Sequence, residues 1–243
     1  GPFYSPSAFD GRQATALLRR EAPPGQLPPC LVSSAPAQVA ALKLSKQSGK
    51  TRTVTWTEVG PMSKAVVGPG TEFSSLDDYF APPLPKWGEP YAAMLDFLAE
   101  RGYLNALPLD TEGCLHVSVP FCAGFMECQI LVPFLARTLF ARPSVARISI
   151  LGTDLEPLQG GRWPQKESYV SRKYPCMQLN LRAMDLAREQ LPACGLSIGV
   201  HPEATRNESW HRILANTVRS TLPGGVCVFA TYFDIELQTV LAI

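Results

Sequence analysis

An α/β fold built on a doubly wound, mostly parallel sheet is what the sequence predicts, and three observations predict it. Residues 115–119 (LHVSV) and 146–151 (ARISIL) are short apolar runs rich in β-branched side chains, as strands buried on both faces are. Between them, 127–140 reads as an apolar helix, entered through a turn containing Gly124 and followed by a break at Pro143. Parallel neighbours need such a crossover. The same order then recurs: apolar runs at 177–181 and 194–200, a helical face at 208–222, and a final run at 226–231.

Composition sets the bounds. A chain of 243 residues with 46% hydrophobic content can bury a core, and disorder throughout is excluded. No apolar run is long enough for a membrane span. A net charge of +1 offers no electrostatic case for nucleic acid or an acidic membrane. Seven cysteines without paired spacing read as reduced thiols, hence an intracellular reducing compartment, the cytoplasm first. Cys122 and Cys128 lack a second cluster, and His116, His201 and His211 are scattered. No metal site is expected.

Taken in order, residues 1–75 are expected to be a Pro-rich extension and not an independent domain. Gly1-Pro2 fits the remnant of a cleaved tag, so the natural start is expected elsewhere. Within the extension, 9–20 reads as a helix capped by Asp10, and 39–44 as a short one. Residues 51–59 (TRTVTWTEV) alternate like a half-buried strand, with Lys64 and its neighbours as a returning partner. The basic run 43–52 lacks aromatic interleaving and reads as a solvated loop. From 76 onward one regular domain is expected. A short helical turn at 76–80 precedes a helix at 91–101, with Pro90 at its start, Gly102 as its stop and one apolar face of Tyr91, Met94, Leu95 and Leu98. Residues 156–172 read as a polar loop. A short helix at 186–190 would follow Asp185. In the helix at 208–222, Trp210, Ile213, Leu214, Val218 and Leu222 form a core face.

This order of landmarks, from Tyr91 to the end, resembles the class I S-adenosylmethionine-dependent methyltransferases, which have a Rossmann-like fold. The resemblance implies that VSVPFCAGFM (117–126) stands where that family has a Gly-rich loop under the cofactor's methionine part. It implies cofactor contacts from Phe121, Cys122, Ala123 and Gly124. It also implies that Asp154, with Leu155 beside it, takes the ribose hydroxyls, and that Asp185 lies beside the adenine. Val200, His201, Pro202 and Glu203 would face the transferred methyl, with His201 as the catalytic base. Pro223-Gly224-Gly225 matches a turn common before the family's fifth strand. Pro120 and Cys122 stand where the family has an acid and a glycine. His201-Pro202-Glu203 is not the motif of amino-group methyltransferases acting on bases. The family's sixth and seventh strands should follow the fifth, so the domain 76–243 is expected to lack them, or strands around Thr51 and Lys64 to fill that edge.

Each candidate has a plainer alternative. Asp154 and Asp185 are residues that cap turns and helices, and for Asp185 the cap is favoured. His201 can equally pack at a strand end, and Gly124 can serve an ordinary turn. Other enzyme classes are excluded by absent motifs: no Gly-x-Gly-x-x-Gly, no Gly-x-Ser-x-Gly elbow and no Walker loop occur. The expected function is therefore methyl transfer from S-adenosylmethionine to an unidentified acceptor. The alternative is an inactive, methyltransferase-like scaffold in a larger assembly, with a protein partner engaged through the N-terminal arm.

Overall fold

The computed structural model describes residues 14–19, 40–42, 88–139, 141–157, 162–204, 207–231 and 234–242. In chain order the elements are β1 (Ala14–Arg19), β2 (Ala40–Leu42), α1 (Gly88–Glu100), β3 (Cys114–Val119), α2 (Cys128–Leu139), β4 (Arg147–Asp154) and α3 (Trp163–Lys173). They continue with β5 (Met177–Ala183), β6 (Cys194–Val200), α4 (Ser209–Ser220), β7 (Thr221–Thr231) and α5 (Asp234–Leu241). The seven strands among the described residues form one sheet in the order β2-β1-β7-β6-β3-β4-β5. The five strands β7-β6-β3-β4-β5 are parallel. The fold is therefore Rossmann-like, as the apolar runs predict. From β3 the chain steps outward through β4 to β5, then returns to place β6 and β7 on β3's other side. Strand order reverses between β3 and β6.

Right-handed crossovers put helices on opposite faces on either side of such a reversal. One face holds the larger core, where Leu115, Val117, Ile148, Ile150, Leu179 and Leu196 meet side chains of α1, α2 and α3. Helix α1 is shaped as its sequence suggests. Tyr91, Met94, Leu95 and Leu98 are buried, and Gly102 at φ +73 lets Tyr103 N donate to Leu98 O at 3.0 Å, a left-handed C-terminal cap. The second face is covered by α4 and α5 over β7, where Leu214, Cys227, Phe229, Leu237 and Val240 form a smaller core.

The structure corrects four expectations. Residues 14–19 and 40–42, read as parts of two helices, are strands. β1 pairs antiparallel with β7, Ala14 opposite Thr231 and Arg19 opposite Val226, and β2 pairs antiparallel with β1. Long-range pairing with an otherwise open edge overrides local helix preference. The expected edge strands near Thr51 and Lys64 and the turn at 76–80 lie outside the described residues. Second, the expected polar loop 156–172 contains α3, with Pro164 in its first turn and Trp163, Lys166, Tyr169 and Val170 buried. Third, the helix expected at 186–190 is a single turn. Fourth, β4 and β5 are not continuously apolar: β5 alternates buried Met177, Leu179 and Leu181 with the less buried Gln178, Asn180 and Arg182. Among the described residues no helix covers that second face of β4 and β5.

Candidate cofactor site

In open α/β sheets ligands bind beyond the carboxyl ends of the strands where the strand order reverses. Here that place is the segment 120–127 after β3, flanked by the ends of β4 and β6. The segment has an alternating backbone: Phe121 (φ 45), Ala123 (φ 46) and Phe125 (φ 51) are all left-handed. Non-glycine residues adopt that region at a cost of about 1–2 kcal/mol each. Gly124, the one glycine of the turn, is not among the left-handed positions.

Tertiary bonds hold this strained turn. Asp154 ends β4, and its Oδ2 accepts from Ala123 N at 2.6 Å while Oδ1 accepts from Leu155 N at 2.8 Å. Cys122 N donates to Thr153 O at 2.8 Å. From below, Trp163 Nε1 donates to Ala123 O at 3.0 Å, and Lys166 Nζ donates to Gly124 O and Phe125 O at 2.5 and 3.2 Å. Lys166 is buried, and burial lowers its pKa. Burial also raises the pKa of Glu127, which lies close enough to Lys166 for their charges to interact. Trp163 and Lys166 were missed in the sequence because they sit in the stretch read as a loop. The recurrence of Trp163, Lys166, Tyr169 and Val170 on one helical face was the available signal.

The other candidates are distributed as follows. Phe121 lies over β6, where its ring occupies the space beside Gly199. It meets Trp210 edge-on at 5.2 Å between centroids and stacks on Phe229 at 6.4 Å. Cys122 is buried against Gly152, and desolvation pushes its thiol pKa well up. Leu155 is exposed beside Asp154. Asp185 caps its turn: Oδ1 accepts from Ala187 N at 3.0 Å, and its own N donates to Glu189 Oε1 at 2.8 Å. Val200 ends β6 and packs against the larger core. His201 follows with φ 58, and its N donates to Ala230 O at 2.8 Å. Burial takes the His201 imidazole down to a pKa of about 3. An imidazole so shifted is neutral at physiological pH and a weak base.

No protein-family model and no curated protein matches the sequence. Among solved structures the chain is similar to a S-adenosylmethionine-dependent methyltransferase from Clostridium acetobutylicum, at 14% identity and a TM-score of 0.38, over 56% of this chain and 48% of that one. It is similar to a TehB-like methyltransferase from Corynebacterium glutamicum, at 18% identity and a TM-score of 0.35, over 65% and 83% of the two chains. A third is magnesium protoporphyrin IX methyltransferase from Synechocystis with bound S-adenosylmethionine, at 10% identity and a TM-score of 0.42, over 72% and 80%. The chain spans about half the length of the first of these. What defines the class is the sheet itself: a Rossmann-like domain whose strand order reverses beside an acid-bearing strand end.

Proposed function

We propose that the chain binds S-adenosylmethionine across the carboxyl ends of β3 and β4 and uses it in methyl transfer. Asp154 carries the reading. It ends the strand next to the reversal, beside the turn over which the cofactor would lie. Each of its carboxylate oxygens accepts one backbone amide and so keeps a further acceptor position. That pair of acceptors fits two vicinal ribose hydroxyls, which would donate to it. When bound, the cofactor would supply an electrophilic methyl group on its sulfonium sulfur.

The chain's own residues would bind and orient. Asp154 would hold the ribose, the turn 121–125 would floor the methionine part, and Asp185 would stand at the rim near the adenine. Val200 and His201, at the end of β6, would flank the acceptor. Neutral His201 suits an orienting hydrogen bond better than proton removal, so an acceptor that needs no strong base is favoured. Orientation alone supplies several kcal/mol in a displacement of this kind.

Calorimetric titration of the full chain with S-adenosylmethionine and its demethylated product tests the reading. Saturable binding to wild type, weakened at least tenfold in Asp154→Ala, is the expected result. Lack of binding by wild type would overturn it and leave the domain as a scaffold.

A further inference from the structure

A second cluster sits at the amino end of β3, about 17 Å along the strand from its carboxyl end. Asp110, Cys114 and His116 there bring a carboxylate oxygen, a thiol sulfur and an imidazole nitrogen within 4.8 Å of one another. The local fold explains the convergence. Residues 110–113 make a tight turn, with Gly113 at φ +75 and its N donating to Asp110 O at 3.1 Å. Asp110 Oδ1 accepts from Glu112 N at 2.9 Å and Cys114 N at 2.8 Å. That fixes the carboxylate and aims Oδ2 at His116 Nε2, 2.9 Å away. Cys114 and His116 are two residues apart on one strand, so they share a face. It is the face that no described helix covers over β4 and β5. A cleft of about 200 Å³ opens there, lined by His116, Ser149, Asn180 and Arg182 among others.

A hydrogen-bonded His–Asp pair alone would be an ordinary surface feature. The sulfur makes the difference. Soft, borderline and hard donors converge; of the cations nearby, Arg147 is held by Glu112 in an ion pair and Arg182 lines the cleft. We propose that Asp110, Cys114 and His116 form a three-donor site for one zinc-class divalent ion, whose remaining position is open to water or to a small ligand in the cleft. Tetrahedral coordination needs an N···O separation of about 3.3 Å and an S···N separation of about 3.6 Å. The His116–Asp110 pair therefore opens by a few tenths of an ångström, and the sulfur closes by at most about 1.2 Å, within reach of side-chain rotation. Coordination takes the thiolate, so each ion bound displaces the Cys114 proton into water. The cluster is not legible in the sequence, because one histidine and one cysteine are not a recognisable pattern until the turn brings Asp110 back.

The test uses the full chain, stripped with a chelator and titrated with Zn²⁺ by calorimetry and with Co²⁺ by absorption. One ion per chain is expected, with a thiolate-to-cobalt charge-transfer band that Cys114→Ser abolishes. His116→Ala and Asp110→Asn should each weaken Zn²⁺ at least tenfold, and Zn²⁺ should raise the melting temperature of wild type but not of His116→Ala. His116 is half-exposed, so its variant keeps the test open if Cys114→Ser misfolds. No stoichiometric Zn²⁺ uptake by wild type would overturn the site. So would a charge-transfer band that persists in Cys114→Ser, which would assign the metal to another thiol such as exposed Cys176.

Discussion

The two halves of the sheet are built differently. β6 and β7 are buried along nearly their whole length, sandwiched between the larger core and the α4–α5 layer. β4 and β5 bury one set of alternate residues under α2 and α3 and leave the other set, Ser149, Asn180 and Arg182 among them, beside a cleft. Parallel strands are usually covered on both faces because their crossover helices lie there. Here the segment between β5 and β6 forms one turn capped by Asp185 where a longer helix would have covered the second face. The double-sided half supplies packing, and the single-sided half keeps polar groups available. Both candidate sites draw on it: Asp154 at the end of β4, and the cluster at the start of β3.

The sharpest way to break this contrast is truncation on each side. Phe229 is fully buried in the α4–α5 core, so Phe229→Ala should cost about 3–5 kcal/mol, read by urea denaturation. Asn180→Ala on the open face should stay within about 0.5 kcal/mol. Equal losses would mean that the second face is packed evenly and the contrast is false.

Acid should act on the double-sided half next. His201 has a folded-state pKa of about 3 against an ordinary 6.5. A depressed folded value means that the unfolded chain binds the extra proton first, so stability is full above about pH 6.5 and is lost as pH falls toward 3. About 2 kcal/mol should be gone by pH 5. Urea midpoints between pH 7.5 and 5 should drop in wild type and stay flatter in His201→Gln. Identical slopes would show that partial burial does not depress the His201 pKa.

A comparable loss is expected at Gly199. A methyl group there would overlap the Phe121 ring and come within 2.9 Å of Phe229 Cδ1, so Gly199→Ala should destabilise by about 1–3 kcal/mol through overpacking. Replacing Phe121 by Leu in the same chain should recover part of it. A loss that Phe121→Leu leaves unchanged would show that the ring does not occupy that space.

The contrast also separates what could be read in advance from what could not. β6 and β7 were visible because burial on both sides makes their sequences apolar, and β3 because Leu115, Val117 and Val119 make one face of it apolar. The sheet edge was not visible: whether 14–19 is helix or strand depends on a partner, Val226–Thr231, more than two hundred residues away. Helix α3 was hidden because its buried face includes a lysine, and a buried lysine is intelligible only once the carbonyls of Gly124 and Phe125 are in place. Of the candidate site, Asp154 was placed correctly at a strand end. Its bond to Ala123 N could not be read, since that depends on three left-handed residues whose types do not announce such a backbone.

That bond changes what Asp154→Ala should do, and gives the smallest effect on stability. A strand-end carboxylate facing only solvent would be removable without cost. Asp154 instead accepts from Ala123 N at 2.6 Å, anchoring a turn already strained at Phe121, Ala123 and Phe125. Removing an anionic acceptor from a backbone amide costs about 1–2 kcal/mol, here tempered because the site is exposed and water can replace it. Asp154→Ala should therefore lower stability by about 1 kcal/mol as well as weaken S-adenosylmethionine. Asp154→Asn separates the two roles. Its amide oxygen can still accept from Ala123 N, which should recover most of the stability. It retains only one acceptor oxygen for two ribose hydroxyls, so its cofactor affinity should stay near that of Asp154→Ala. If instead Asp154→Asn restores affinity along with stability, the carboxylate serves the turn alone, and the ribose must be held elsewhere. Asp185→Ala is the control, because it removes a capping acceptor at an exposed turn and should leave affinity within about twofold of wild type.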